Sequence, residues 1–356
     1  MTIAHAQILE ILSAGIQAPS ADNSQPWKFK VVPGAIHVFY DVSRLGMFFD
    51  FALSATYMSL GAVCENMVLH AGKLGLDAEV ELCVDHPMEI GHVITLRLSQ
   101  HNVAYDPLAD AIPARATNRF LYRRGSNVAG SVLADIAHAI SPGQECRVVW
   151  AHDPAARKQL GRAVFQSDLV RFTHPLIHRG FHDTLRFGSD VWKSNDGLAA
   201  ETLGIERPML PLLRMLRPWG LARLLNGVGL QYFMAWRGGL LPMWASSHLG
   251  AIIASSRVDY FDMGRAFERV WLAATRAGLA FQPLGALPLL LFRWQDQADR
   301  GLADGHKARL RQADAAWRGA TDASASERLV MIFRVGHAFG EAPRSRRRPV
   351  DQFLME

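Results

Sequence analysis

Hydrophobic and polar positions alternate with clear periods through the first hundred residues. In residues 4–17, Ile8, Ile11, Leu12 and Ile16 recur at helical spacing, which predicts an amphipathic helix. The stretches WKFKVV and AIHVFYD alternate apolar and polar residues on either side of Pro33-Gly34, the pattern of a strand pair joined by a tight turn. SATYMSLGAVCENMVLHAGKLGL then reads as a long, almost wholly apolar helix that Gly75 ends. AEVELCVD and HVITLRLSQ are two further strands.

Part of this pattern returns. GAVCENMVLHAGKLGL from Gly61 and GRAFERVWLAATRAGL from Gly264 align without gaps, matching Gly61/Gly264, Glu65/Glu268, Leu69/Leu272, Ala71/Ala274, Gly75/Gly278 and Leu76/Leu279. Two amphipathic helices ending in Gly-Leu can resemble each other by chance. The ungapped register and the glutamate opposite a glutamate favour an internal repeat. The division it predicts is 1–111 for a first half and 112–356 for a second, which ends on the strand RLVMIFRVGHA. An extra apolar segment at about 181–247 interrupts the second half. Arg214, Arg217, Arg223 and Arg237, with several Pro and Gly, break it too often for a spanning helix of about 20 apolar residues. A lid or pocket wall is the leading reading; a partner surface and an amphipathic membrane contact are the others.

Composition narrows the class. The chain has 356 residues, 49% apolar and 20% charged, as expected for a globular protein with a large core. Its three cysteines form no CxxC pair and no disulfide framework, no metal site is expected, and the start lacks a secretory leader, so a cytoplasmic location is expected. Much of the net charge of +5 lies in the tail PRSRRRP. With no helix-turn-helix or RNA-binding signature beside it, nucleic acid is not an expected partner.

Four stretches could carry chemistry. APSADNSQPW crowds hydrogen-bonding side chains into one connection. In RATNRF, Arg115 and Arg119 bracket Thr117; in PRSR, Arg344 and Arg346 bracket Ser345. Two guanidinium forks around a hydroxyl suit a phosphate, although a solvated face is the alternative for either cluster. FQPLGALP offers backbone N–H groups at a turn after the repeated helix, or is an ordinary connection.

Together the four resemble the nitroreductase superfamily of FMN enzymes, across nearly the whole chain. APSADNSQPWKFKVV is similar to that family's signature loop. RATNRF resembles its Arg-x-Ser-x-Arg segment with Thr117 in place of serine, QPLGAL its Pro-x-x-Gly turn at flavin N5, and PRSR its C-terminal phosphate clamp. The resemblance implies an α+β, three-layer α/β/α fold in two related copies fused in one chain. It implies that Pro19, Ser20, Ala21 and Asn23 touch FMN with Gln25 in support and Trp27 as anchor. It further implies that Arg115, Thr117, Arg119, Arg344, Ser345 and Arg346 grip the phosphate, and that Pro283, Leu284 and Gly285 face the ring. The family's loop reaches across a dimer interface, and each motif occurs once here, so a monomeric pseudo-dimer with one flavin site is expected.

The implied activity is hydride transfer through FMN, with NAD(P)H as co-substrate, to a flat small-molecule acceptor of nitroaromatic or quinone type. The alternatives are a flavin-holding protein whose lid occludes the ring, and a flavin dehydrogenase or oxidase of a specialised metabolite. No side chain is expected as general acid or base, because the cofactor carries the chemistry.

Overall fold

The apolar stripe of residues 4–17 becomes helix α1 (His5–Gly15), and the long apolar run becomes helix α2 (Ser54–Lys73), against which α1 packs. The computed structural model describes residues 3–45, 48–83, 92–101, 103–141, 143–296 and 301–356. Strands β1 (Trp27–Val32), β2 (Ala35–Tyr40), β3 (Asp77–Leu82) and β4 (His92–Ser99) form an antiparallel sheet in the order β1-β2-β4-β3. Val84 and Asp85, the end of the predicted third strand, lie outside the described residues. Period-2 alternation gives the sheet one buried face, where Phe29, Ile36, Val38, Ile94 and Leu96 meet α1 and α2. The other face presents Lys30, Glu81 and Arg97 to solvent.

The second half begins with helix α3 (Gly130–Ala137) and strand β5 (Cys146–Trp150). A long insertion follows, with helices α4 (Pro154–Thr173), α5 (Pro175–Thr184), α6 (Leu210–Met215), α7 (Trp219–Asn226) and α8 (Leu230–Ala235). Strand β6 (His248–Ser255), helix α9 (Tyr260–Arg276), strand β7 (Ala280–Leu284), helices α10 (Ala286–Gln295) and α11 (Asp304–Thr321), and strand β8 (Glu327–Gly336) complete it. The sheet order is β5-β6-β8-β7, the same sequence of neighbours as in the first sheet. One face packs Ile252, Phe333 and Val335 on α3 and α9; the other packs Ala251, Ile253 and Ile332 on α4, α10 and α11. Among the described residues, the second half therefore has three layers and the first has two.

The insertion is longer than the apolar run suggested. It opens the β5–β6 hairpin directly after Trp150 and so takes in α4 and α5. The corresponding connection in the first half is only Pro33-Gly34, with Gly34 at φ +75°.

The repeated helices α2 and α9 pack on each other. A Cβ on Gly61 would lie 2.0 Å from the Phe261 carbonyl oxygen, and one on Gly264 would lie 2.0 Å from that of Met58. Met58 and Phe261 each precede their helix's glycine by three residues, so the two contacts are related by an exchange of the helices. Both helices also end alike. Gly75 (φ +73°) and Gly278 (φ +71°) are left-handed, and Leu76 and Leu279 donate back to the Ala71 and Ala274 carbonyls. Beyond Glu65 and Glu268 the symmetry decays: Glu65 binds Arg265 and Arg269 at 2.8 Å, whereas Glu268 faces Arg115 at 3.2 Å with Asn66 beside it.

The chain's end crosses back to the first sheet. Met355 N–H donates to the Phe29 carbonyl, and Phe353 packs 6.0 Å from Trp27 and 6.2 Å from Phe29, ring centre to ring centre. No helix among the described residues is long and apolar enough to cross a membrane.

Candidate functional site

A pocket of about 370 Å³ lies where loop 18–25, α9, the β7–α10 junction and the inner side of the insertion converge. That volume is within the range of cofactor clefts. Leu198, Leu203, Leu213, Leu216 and Met234 of the insertion form much of its apolar wall.

Loop 18–25 reaches the pocket in a demanding conformation. Asp22, Asn23 and Gln25 have φ of 49°, 56° and 52°, in the left-handed region that non-glycine residues rarely enter. Side-chain hydrogen bonds hold it there. The Gln25 N–H donates to Ser20 Oγ, and the Asn23 amide donates to the carbonyls of Gly197 and Arg346. The Gln25 amide donates to the Asn195 carbonyl and accepts from the Arg348 N–H. Fully buried Trp27 fixes the loop's end in the first core. The residues of APSADNSQPW thus divide: Pro19, Ser20, Ala21 and Asp22 line the pocket, while Asn23 and Gln25 bind the tail and the insertion behind it.

The segment beginning at Arg115 runs alongside β7, with the Asn118 N–H donating to the Phe281 carbonyl and Thr117 paired with Phe281. Strand β7 is an edge strand, where the missing N–H of Pro283 costs no inner ladder bond. The register brings Thr117 and Arg119 into the pocket lining together with Pro283, Leu284 and Gly285. Arg115 points elsewhere. Its guanidinium lies against Glu268, donates to the Gln17 carbonyl and stacks 4.3 Å from the centre of the ring of Trp271, a residue of the pocket lining. Burial pushes the Glu268 carboxyl up to about 7 against the opposing pull of Arg115.

The basic tail lies outside the lining. Arg344 donates to the Pro113 carbonyl, and Arg346 to Asn195 while stacking 3.5 Å over Trp192. The Ser345 carbonyl accepts from Arg347. Arg347 and Arg348, which the sequence did not single out, do the holding. Arg347 donates to the Ile16, Gln17 and Ala18 carbonyls and to Asn23 Oδ1; Arg348 donates to the Gln25 carbonyl. The three carbonyls lie just past the end of α1, where a helix leaves its acceptors unsatisfied and favours a cation. Burial first, then the nearby Arg115, brings the Arg347 guanidinium down to about 9.

Charges inside the pocket were also missed. Asp22, Asp168 and Arg171 line it with Arg119. Arg171 sits 3.3 Å from Asp168, and Arg119 donates to the Thr202 carbonyl. Burial raises both carboxyls; Arg119 and Arg171 oppose this at Asp22, and Arg171 does so at Asp168. An Asp and an Arg three residues apart on the buried side of α4 were the available signal.

Residues 1–45 match the Nitroreductase family model. A Mycobacterium tuberculosis protein provisionally named NAD(P)H nitroreductase is 30% identical over 155 residues, 40% of this chain and 42% of that relative. An uncharacterized protein of the same species is 24% identical over 353 residues, 95% of this chain and 47% of the relative. The chain thus spans about half the length of the curated relatives it matches, or less. Among solved structures, an FMN- and NADPH-dependent nitroreductase from Sphigopyxis sp. strain HMH aligns with a TM-score of 0.40 and 16% identity, covering 70% of this chain and 99% of that one.

Proposed function

We propose that the chain is a member of the nitroreductase superfamily that binds one FMN in the pocket and works as an oxidoreductase, a reading that the family match at residues 1–45 and the M. tuberculosis relative support. The carrying observation is that three segments distant in sequence, 19–21, 117–119 and 283–285, share one lining.

The donor set suits a flavin mononucleotide. Trp271 and Phe267 give aromatic surface, Ser20, Gln282 and the 283–285 backbone supply polar groups, and Thr117 with Arg119 can receive a phosphate. The resemblance's other phosphate ligands, Arg115, Arg344, Ser345 and Arg346, stand outside that lining, so the reading rests on Thr117 and Arg119. Bound FMN supplies hydride exchange between NAD(P)H and an acceptor. With FMN bound, loop 18–25 and the 283–285 backbone would hold the ring, Arg119 would offset the phosphate's charge, and the insertion's leucines would exclude water. The equal strand orders and the exchange-related glycine contacts support 1–111 and 112–356 as two copies of one fold, and hence one site per chain.

The apolar wall supports flat acceptors of nitroaromatic or quinone type. It equally supports a second reading, a flavin-holding protein whose insertion closes over the ring. Anaerobic mixing of the FMN-loaded protein with NADH or NADPH separates them. Loss of the flavin's yellow band, restored by a quinone, is the expected result; an unbleached flavin refutes turnover and leaves the holding role.

A further inference from the structure

The insertion has a second surface that, apart from Leu212, the pocket does not use. Among the described residues, eight of the sixteen exposed large apolar side chains fall between Leu212 and Trp244. From α7 onward they recur every fourth residue, Leu224, Val228, Tyr232 and Trp236, and Val228 is 83% exposed. Isolated exposed apolar residues are ordinary, but a concentrated run is not.

Charge decides what can cover it. Residues 207–258 contain no Asp or Glu, while Arg207, Arg214, Arg217 and Arg223 are exposed. Arg217 has only a loose 3.6 Å contact with Asp183, itself exposed. A second copy docked isologously would set arginines against arginines. Exposed Trp, Tyr, Phe and Leu beside uncompensated arginines are instead the composition of helices that lie in a lipid headgroup region.

We infer that α6–α8 and the turns between them form a docking surface for an anionic lipid bilayer, independently of the flavin proposal. The helices lie in the interface plane, with Leu224, Val228 and Trp236 at the acyl boundary and the arginines among the headgroups. Their opposite side carries Leu213, Leu216 and Met234 on the pocket. Docking thus brings the pocket's apolar wall within a helix thickness of the membrane.

Co-sedimentation of the purified chain with vesicles tests this. Phosphatidylcholine vesicles containing phosphatidylglycerol should pellet the protein, pure phosphatidylcholine should do so weakly, and added salt should release it. Arg214→Gln and Arg223→Gln should each lower the anionic-vesicle affinity about fivefold. Leu224→Ser should weaken it without altering the circular dichroism spectrum, because that side chain is exposed. For the unaltered chain, brominated lipids should quench tryptophan emission, and Trp236→Phe should reduce the quenching. No pelleting, equal binding to both vesicle types, or variants that bind like the parent would overturn the proposal. A lipid-free dimer that Leu224→Ser dissociates would assign the surface to a second copy instead.

Discussion

Replacing Arg347 by methionine keeps an unbranched apolar stem but removes the guanidinium and its charge. Besides the Ser345 and Arg346 carbonyls of its own segment, the guanidinium bonds four acceptors of the connection after α1, at 2.9 Å to Ile16, 3.2 Å to Gln17, 3.0 Å to Ala18 and 2.7 Å to Asn23 Oδ1. Charge-assisted bonds contribute roughly 1.5–3 kcal/mol each when buried, less where water can replace them. Arg115 still donates to Gln17, and the site is half-buried, so about 3 kcal/mol is a reasonable total. Relief of the repulsion between Arg347 and Arg115 offsets part of this. Thermal unfolding should shift down by roughly 4 °C. Amide exchange should accelerate across residues 17–25, because their left-handed backbone loses its support. Arg346→Ala is the internal control: that side chain lies on the surface over Trp192, and its loss should change stability by less than about 1 kcal/mol. Equal melting of the Arg347→Met protein and its parent, with unchanged exchange in the loop, would refute the claim that the tail sets the loop.

Arg119→Ala should weaken FMN binding by about tenfold or more in a fluorescence titration, since it removes the pocket's motif arginine. Gly61→Ala and Gly264→Ala should destabilise to similar extents in urea titrations, because each Cβ meets a backbone carbonyl at 2.0 Å that cannot yield without parting the helices. Glu268 has a folded-state pKa of about 7, above its usual 4.5, so the folded protein binds more protons and stability should fall as pH rises from about 4.5 to 7. Glu268→Gln should flatten that slope; an unaltered slope assigns it to other groups.

Much of this was legible in the chain where periodicity and local chemistry act together. The hairpin around Pro33-Gly34, helix α2 and the Gly75 and Gly278 stops follow from alternation and glycine's left-handed freedom. The Gly61/Gly264 match, read in the sequence only as an internal repeat, falls where the two helices cross and their backbones approach too closely for a Cβ. The extent of the insertion was not legible: α4 carries Arg157, Lys158, Arg162 and Arg171 among its apolar residues, and lacks a strong apolar stripe. Nor does spacing show which arginine of a run turns inward. Arg344 and Arg346 matched the motif, yet Arg347 and Arg348 reach the loop, a choice made by the tail's path along β1. Asn23 and Gln25 likewise turn to the tail and the insertion, where their amides find hydrogen-bond partners that the motif does not contain.

The central claim is a single flavin pocket assembled from two related halves. Titrating the flavin-free protein with FMN, and counting flavin per polypeptide at saturation by absorbance after denaturation, tests it most directly. The account predicts one FMN per chain, with occupancy reduced by Arg119→Ala at concentrations that just saturate the parent. Two tightly held flavins per chain, or none, would contradict it.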